Sequence, residues 1–370
     1  MYKKGFIEQF GLFASLSVSM IGSGVFYAPA IISKYVGQNS WIVSIASAVI
    51  VFFIFWAIVK LFRINSYKTI TDILKGTYGS IIGSLLALLY SILIIIISAL
   101  FLRNFSEVIS MYLLPNTPRE VVLITLIFIA MYLSRGGLAN VVHFNEIIFW
   151  IMFIPIGIIL LLVLPEADFS NLLPIGGYGV INYARGSFEM LFLLSGFSIV
   201  FTLVPYVREK KRTTGVLLKN SIFTGVFYTA ILILVCATLS SAQVKESIFP
   251  TITMLESVSS RSGILEKWDS LIMALWVIFF FTSFANMYYF SSVTLKDVLH
   301  IKNIRTASAV YVPLVYLAAI IPENIIEIRN VKYGYLRTGS IAVIVVIIGV
   351  TLVLSILKRG RRHGNEKQNN

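Results

Sequence analysis

The chain has 370 residues, 58% of them hydrophobic, 14% aromatic and only 13% charged, with a mean hydropathy of +0.88. These values exclude an ordinary water-soluble domain and define a polytopic membrane protein. A net charge of +13 raises nucleic-acid binding as a reading, but the placement of the charges assigns them to one face of a membrane instead.

A helix needs about 20 residues to cross roughly 30 Å of hydrocarbon. Ten apolar runs follow one another near residues 10–32, 40–62, 82–113, 120–134, 145–164, 186–207, 216–241, 268–293, 307–321 and 337–357. The fourth and ninth are short, so counts of nine and eleven stay open beside ten. With ten spans and the N-terminus inside, 20 of the 30 Lys and Arg fall on inner segments and nine on outer ones, with Arg103 within a span. An odd count would scramble this alternation, so both termini are expected on the cytoplasmic side, where the basic groups meet anionic lipid rather than nucleic acid. The first run is too long for a signal-peptide core and lacks a small-residue cleavage site, so it is expected to remain as a span. Cys236 is the single cysteine, which precludes an internal disulfide, and His143, His300 and His363 are scattered. No metal site and no cofactor are expected.

Between the spans, the outer segment from Phe249 to Leu265 sets Ile252, Leu255, Val258 and Ser259 at helical spacing, which predicts an interfacial amphipathic helix. Residues 1–357 thus form one transmembrane domain, followed by a basic cytoplasmic tail, 358–370, of disordered character.

The first span contains MIGSGVFYAP, from Met20 to Pro29, where Gly22, Ser23 and Gly24 stand in a row. Small residues in membrane helices serve close packing when they line one face. Three in succession instead loosen a turn. The sixth span carries its own interruption, Ser195, Gly196 and Ser198, followed by Pro205. First and sixth spans are equivalent in two five-helix halves, here about 5–165 and 180–357, and paired interruptions at equivalent positions point to a midplane site. Unwound turns expose amides at one half-helix and carbonyls at the other. Amides at Gly22, Ser23 and Gly24, continuing to Val25, suit a carboxylate, and carbonyls near Ile21, Leu194 and Ser195 suit an ammonium. The expected ligand is a small zwitterion.

Further candidates line the same region. In the third span Tyr90 and Ser98 are placed to wall the pocket, and Arg103 and Glu107, four apart, share a helix face as an intramembrane charge pair. In the eighth span Thr282, Ser283 and Asn286 face either the cavity or their own backbone. No nucleophile, base and orienter set is present, so no enzymatic activity is expected.

IGSGVFYAP resembles the first-helix motif of the amino acid, polyamine and organocation transporter superfamily. LPNTP at Leu114 to Pro118, RGGLANVVHFNE at Arg135 to Glu146, LLPIGGYG at Leu172 to Gly179, LVPYV at Leu203 to Val207, FPTITML from Phe249 and EKWDSLIMALW from Glu266 to Trp276 are similar to the B-subunit family of spore germinant receptors. The resemblance implies an all-α, ten-helix, LeuT-like fold with a five-plus-five inverted repeat and broken helices 1 and 6. It also implies a germinant-sensing subunit of the spore inner membrane, binding an amino acid and acting with A-type and C-type partner subunits. A permease of the same fold, which would transport its ligand, is the alternative. The chain departs from the family pattern at Lys267, where an Arg is expected, and at Ser198, where an acidic residue is.

Overall fold

Segments buried in lipid must satisfy every backbone group internally, and this chain does so with helices throughout. The computed structural model describes residues 6–22, 24–262, 268–322 and 331–368, with side chains described in these apart from 111–112, 257–274, 331–338 and 360–368. Ser23, Lys3, Lys4, Lys267 and Arg329 lie outside the described residues.

In chain order the helices are α1 (Gln9–Ile21), α2 (Ala28–Val36), α3 (Ser40–Ile64), α4 (Ile70–Tyr78), α5 (Ser80–Tyr112), α6 (Arg119–Arg135), α7 (Leu138–Val163), α8 (Val180–Leu193), α9 (Val200–Leu203), α10 (Thr213–Thr238), α11 (Ser241–Glu246), α12 (Pro250–Ser262), α13 (Trp268–Val298), α14 (Ile304–Ile320) and α15 (Val331–Gln368). Among the described residues, five helices are long and apolar enough to cross a membrane alone. These are Ala28–Ile64 taken through its 3₁₀ turn, Ser80–Ser110, Leu138–Glu166, Lys210–Thr238 and Gly339–Arg359. A sixth crossing results if Val180–Leu193 and Ser195–Tyr206, bent by 53° to each other, are taken together.

Helix α1 lies at the centre. Every residue from Leu12 to Ile21 except Phe13 is buried, including Ser15, Ser17 and Ser19. On a helix, positions four apart lie on nearly the same face and positions two apart point about 200° apart, so Ser15 and Ser19 share one side of α1 and Ser17 points to the other. Each meets an asparagine from a different helix. Asn145 Nδ2 of α7 donates to Ser15 Oγ at 2.9 Å, Asn220 Nδ2 of α10 donates to Ser17 Oγ at 2.9 Å, and Asn286 Nδ2 of α13 donates to Ser19 Oγ at 2.8 Å. Asn145 also donates to Asn286 Oδ1 at 2.8 Å, which joins α7 to α13 directly.

Toward the other end, α2 and α13 are joined by aromatic rings instead. Trp276 is fully buried, with Phe26, Phe105 and Phe249 edge-on to it at centroid distances of 5.1, 5.9 and 5.3 Å. Phe105 of α5 stacks on Phe280 at 4.3 Å. Edge-on and offset contacts of this kind satisfy the ring quadrupoles and bury large areas.

Three short elements differ from the expectations. Helix α4 was not anticipated; its N-terminus is capped by Thr69 Oγ1, which accepts from the Asp72 amide at 3.2 Å, and its C-terminal carbonyls at Gly76 and Thr77 accept from Lys358 Nζ at 3.2 and 2.6 Å. That lysine belongs to the stretch expected to be disordered, yet α15 continues through it to Gln368, as its straight-chain Lys, Arg and Glu residues favour. The amphipathic segment from Phe249 forms α12, but Thr251, Ile252, Met254 and Leu255 are buried against protein rather than laid on lipid. Val258 and Ser259 are helical there, and Leu265 lies outside the described residues.

Asn145→Ala removes both of its interhelical bonds. At about 0.6 to 1.7 kcal/mol for each such bond in a membrane protein, the expected loss is about 1–3 kcal/mol, read from unfolding of the purified protein in mixed micelles. Because Asn145 and Asn286 share one bond, the double Ala variant should lose less than the sum of the singles.

Candidate functional site

The two interruptions pack directly on each other. Helix α1 stops at Ile21, α2 resumes at Ala28, and between α8 and α9 the residues Ser195–Ile199 form a 3₁₀ turn. A Cβ placed on Gly196 would stand 2.1 Å from the Ser19 carbonyl oxygen and 2.7 Å from the Met20 amide nitrogen. A Cβ on Gly22 would stand 2.3 Å from the Phe279 carbonyl oxygen of α13, so backbone also touches backbone there. Only glycine permits either approach. The ends below the interruptions are tied as well: Ile7 and Val207 form an isolated parallel bridge, with Ile7 N–H donating to Tyr206 O at 2.9 Å and Arg208 N–H to Ile7 O at 3.0 Å. The LVPYV segment therefore locks the far end of the second interrupted helix to the start of the first.

Of the amides expected to stay open, those of Gly22, Gly24 and Val25 are engaged within the chain, and Ser23 lies outside the described residues. Gly22 N–H donates to Val18 O at 3.1 Å, and both Gly24 N–H and Val25 N–H donate to Ile21 O at 3.3 Å. The turn closes on itself in 3₁₀ and α fashion, which tightens helix ends whose donors would otherwise lack partners. Tyr27 N–H and Ala28 N–H donate to Gly24 O at 3.2 and 2.8 Å. The carbonyl side is served from neighbouring helices. Tyr228 Oη of α10 donates to Met20 O and Ile21 O, each at 3.2 Å; Ser283 Oγ of α13 donates to Val18 O at 2.8 Å; and Thr251 Oγ1 of α12 donates to Val25 O at 2.9 Å.

Around the second interruption, Leu194 O accepts from Phe197 N–H at 2.9 Å, and Tyr90 Oη donates to Ser198 O at 3.2 Å. Tyr90 and Ser198 are thus brought together, with Phe201 edge-on to the Tyr90 ring at 5.8 Å. Ser195 is fully buried, and its hydroxyl has no hydrogen-bond partner among the described residues. Thr282 and Ser98 bond back to their own helices: their hydroxyls donate to Ile278 O at 2.7 Å and Ile95 O at 3.0 Å. A cavity of about 30 Å³, near one water's share of liquid volume, adjoins Val25 and Phe26 beneath Thr251, Met254 and Leu275.

Arg103 and Glu107 pair at 2.8 Å, and the pair is larger than the spacing implied. Arg119 reaches the same Glu107 oxygen at 2.7 Å, and Arg103 Nε donates to Pro322 O at 3.0 Å. The group joins α5, the start of α6 and the end of α14, away from the interruptions. It ties these helix ends together.

Asn145, Asn220, Tyr228 and Thr251 were not singled out from the sequence, although each contacts α1 or its interruption. Solitary asparagines within otherwise apolar runs were the available signal. Asn145 sits at the predicted edge of its run and reads there as an interface residue.

A central helix interrupted at midlength, packed against a second interruption and enclosed by long apolar helices, defines an all-helical membrane protein of LeuT-like fold. Solved structures agree: MhsT in complex with L-phenylalanine superposes with a TM-score of 0.68 at 11% identity, covering 95% of this chain and 90% of that one. Residues 7–328 match the family model described as spore germination protein, and the chain belongs to that family. Relatives include spore germination protein A2 of Bacillus subtilis (strain 168), 26% identical over 75% of this chain and 76% of its own length, and spore germination protein YndE of the same organism, 22% identical over 94% of each.

Gly196→Ala is expected to cost about 1–3 kcal/mol or more by forcing the interruptions apart, whereas Gly157→Ala, whose Cβ would meet nothing within 4 Å, should leave thermal stability unchanged. Glu107→Gln removes the carboxylate that Arg103 and Arg119 share and is expected to cost about 3–5 kcal/mol in the same assay.

Proposed function

We propose that the chain is the germinant-sensing membrane subunit of a spore germination receptor, and that it binds a small amino acid where the two interruptions meet. The observation that carries this reading is the contact of Gly196 with the Ser19–Met20 backbone, by which the two interruptions meet within the helix bundle. In this reading ten spans cross the bilayer: α1 with α2, α3, α5, α6, α7, α8 with α9, α10, α13, α14 and α15. The first and sixth are broken, and both termini are cytoplasmic. Ile21, Gly22, Ser23, Gly24 and Val25 form one wall and Leu194, Ser195, Gly196 and Ser198 the other, with Tyr90, Ser98, Thr282 and Ser283 behind them.

Family and fold point to a receptor or transporter of the membrane rather than to an enzyme. Signalling through A-type and C-type subunits in the spore inner membrane is the function the family suggests for this site. The ligand acts by its difference in affinity for two helix arrangements, since equal affinity would shift nothing. The cavity beside Val25 holds about 30 Å³, so an amino acid enters only with movement of the surrounding helices. The alternative is a permease, supported by the transporters that share the fold.

The two are separated in proteoliposomes given radiolabelled common L-amino acids. Saturable binding without accumulation is expected; saturable accumulation would establish the permease, and no binding would remove the site. In spores, Gly24→Trp should abolish the amino-acid response while the subunit remains in the membrane, because a Cβ there already stands 2.7 Å from Tyr228 Oη and 3.0 Å from Leu193 Cβ. Normal germination by that variant would sink the assignment.

A further inference from the structure

We infer that Tyr228 is an internal occupant of the ammonium subsite: its hydroxyl stands where the ligand's amine must bind, and the ligand binds by displacing it. The inference rests on the site proposed above. In an unbroken helix the Met20 carbonyl would accept from the Gly24 amide. Here the Gly24 amide turns to Ile21 O at 3.3 Å, so Met20 O is released from the helical pattern. Tyr228 Oη takes it, together with Ile21 O, at 3.2 Å each. One hydroxyl proton is therefore shared between two buried carbonyls.

A phenol has a single proton to donate, whereas an ammonium has three and carries a positive charge. Two carbonyls converging on one point are better matched by the ammonium, and charge-assisted bonds are roughly twice as strong as neutral ones. The hydroxyl makes the empty state tolerable, because carbonyls left bare in this buried turn would carry the full cost of desolvation. The ligand's advantage over the hydroxyl is then the free energy available to move α10. Tyr228 is fully buried and directly covers Gly24, whose Cβ would stand 2.7 Å from its oxygen. Displacing it therefore shifts a side chain anchored in the middle of α10, the helix that also holds Ser17 through Asn220.

The arrangement also states which half of the ligand is read here. Carbonyl oxygens accept only, so the pair formed by Met20 O and Ile21 O selects for an amine. At this subsite the part of the zwitterion that is read is its cationic end.

The test turns on the sign of an affinity change. Tyr228→Phe keeps the ring and removes the competitor. Purified wild type and variant are titrated with the radiolabelled common L-amino acids, with the amines obtained by removing their carboxylates, and with the acids lacking the amine. Tyr228→Phe should bind amino acids and amines roughly three- to tenfold more tightly than wild type, the size of one net hydrogen bond, with no gain for the acids. Weaker or unchanged binding by the variant would show that Tyr228 contacts the ligand or is a bystander, and would overturn the inference. Absence of binding to wild type itself would instead remove the proposed site, and the inference with it. Should Tyr228→Phe fail to fold, 3-fluorotyrosine at position 228 keeps the hydroxyl in place. Its fluorine resonance should move on saturation with the amine, and a resonance that does not respond would equally refute displacement.

Discussion

Helix α1 is held in place by three asparagine amides, and the rest of the structure is arranged around that constraint. Lipid tails are as apolar as leucine, so helices in a membrane gain little by burying apolar surface against one another, and association depends on close packing and on polar bonds between helices. Ser15 and Ser19 share one face of α1 and meet Asn145 and Asn286 from α7 and α13, while Ser17 on the other side meets Asn220 from α10. A helix bonded on opposite sides by three helices is fixed in position and rotation. Because Ser19 is also the residue on which Gly196 rests, the same clamp sets where the second interruption comes to lie.

The interruptions combine two roles that are often treated as alternatives. Gly22 and Gly196 permit backbone to touch backbone, which is a packing role, and the same approach frees carbonyls from the helical pattern, which is a polar one. Met20 O and Val25 O are then satisfied by the hydroxyls of Tyr228 and Thr251, and Ser283 adds a second donor to Val18 O, so hydroxyls arrive from three other helices. Buried backbone groups left unpaired are costly in a membrane interior. Here the side chains that relieve the cost are carried by other helices rather than by α1 itself, so the bonds they make are ones that a better donor can replace.

The two ends of the bundle are held by different chemistry. Around α1 the bonds are amide to hydroxyl, while above the interruption Trp276 gathers Phe26, Phe105 and Phe249, and the Arg103, Glu107 and Arg119 group ties α5, α6 and the end of α14. Ring contacts adapt to small rotations, but directional hydrogen bonds resist them. The two sides of α1 therefore differ in how readily their contacts rearrange.

Composition and hydropathy determined the solvent, the helical class and the approximate ends of the long helices, because in lipid the backbone has few other ways to satisfy itself. The interruptions at Gly22 to Gly24 and Ser195 to Ser198 were legible too, since consecutive small residues inside an apolar run are conspicuous. Motif order along the chain pointed to the family that the match over residues 7–328 then showed. What the sequence could not state was which donor meets which acceptor. Asn145 and Asn220 lie 130 and 203 residues from their serines, and Tyr228 lies 208 from Met20, separations at which no local pattern carries information. The amides of Gly22 and Gly24, legible as open, were closed by the local turn, whose precise geometry depends on the helices pressed against it. Hydrophobicity is a property of each residue and is written in the sequence, whereas hydrogen-bond partnership is a property of pairs brought together by the fold.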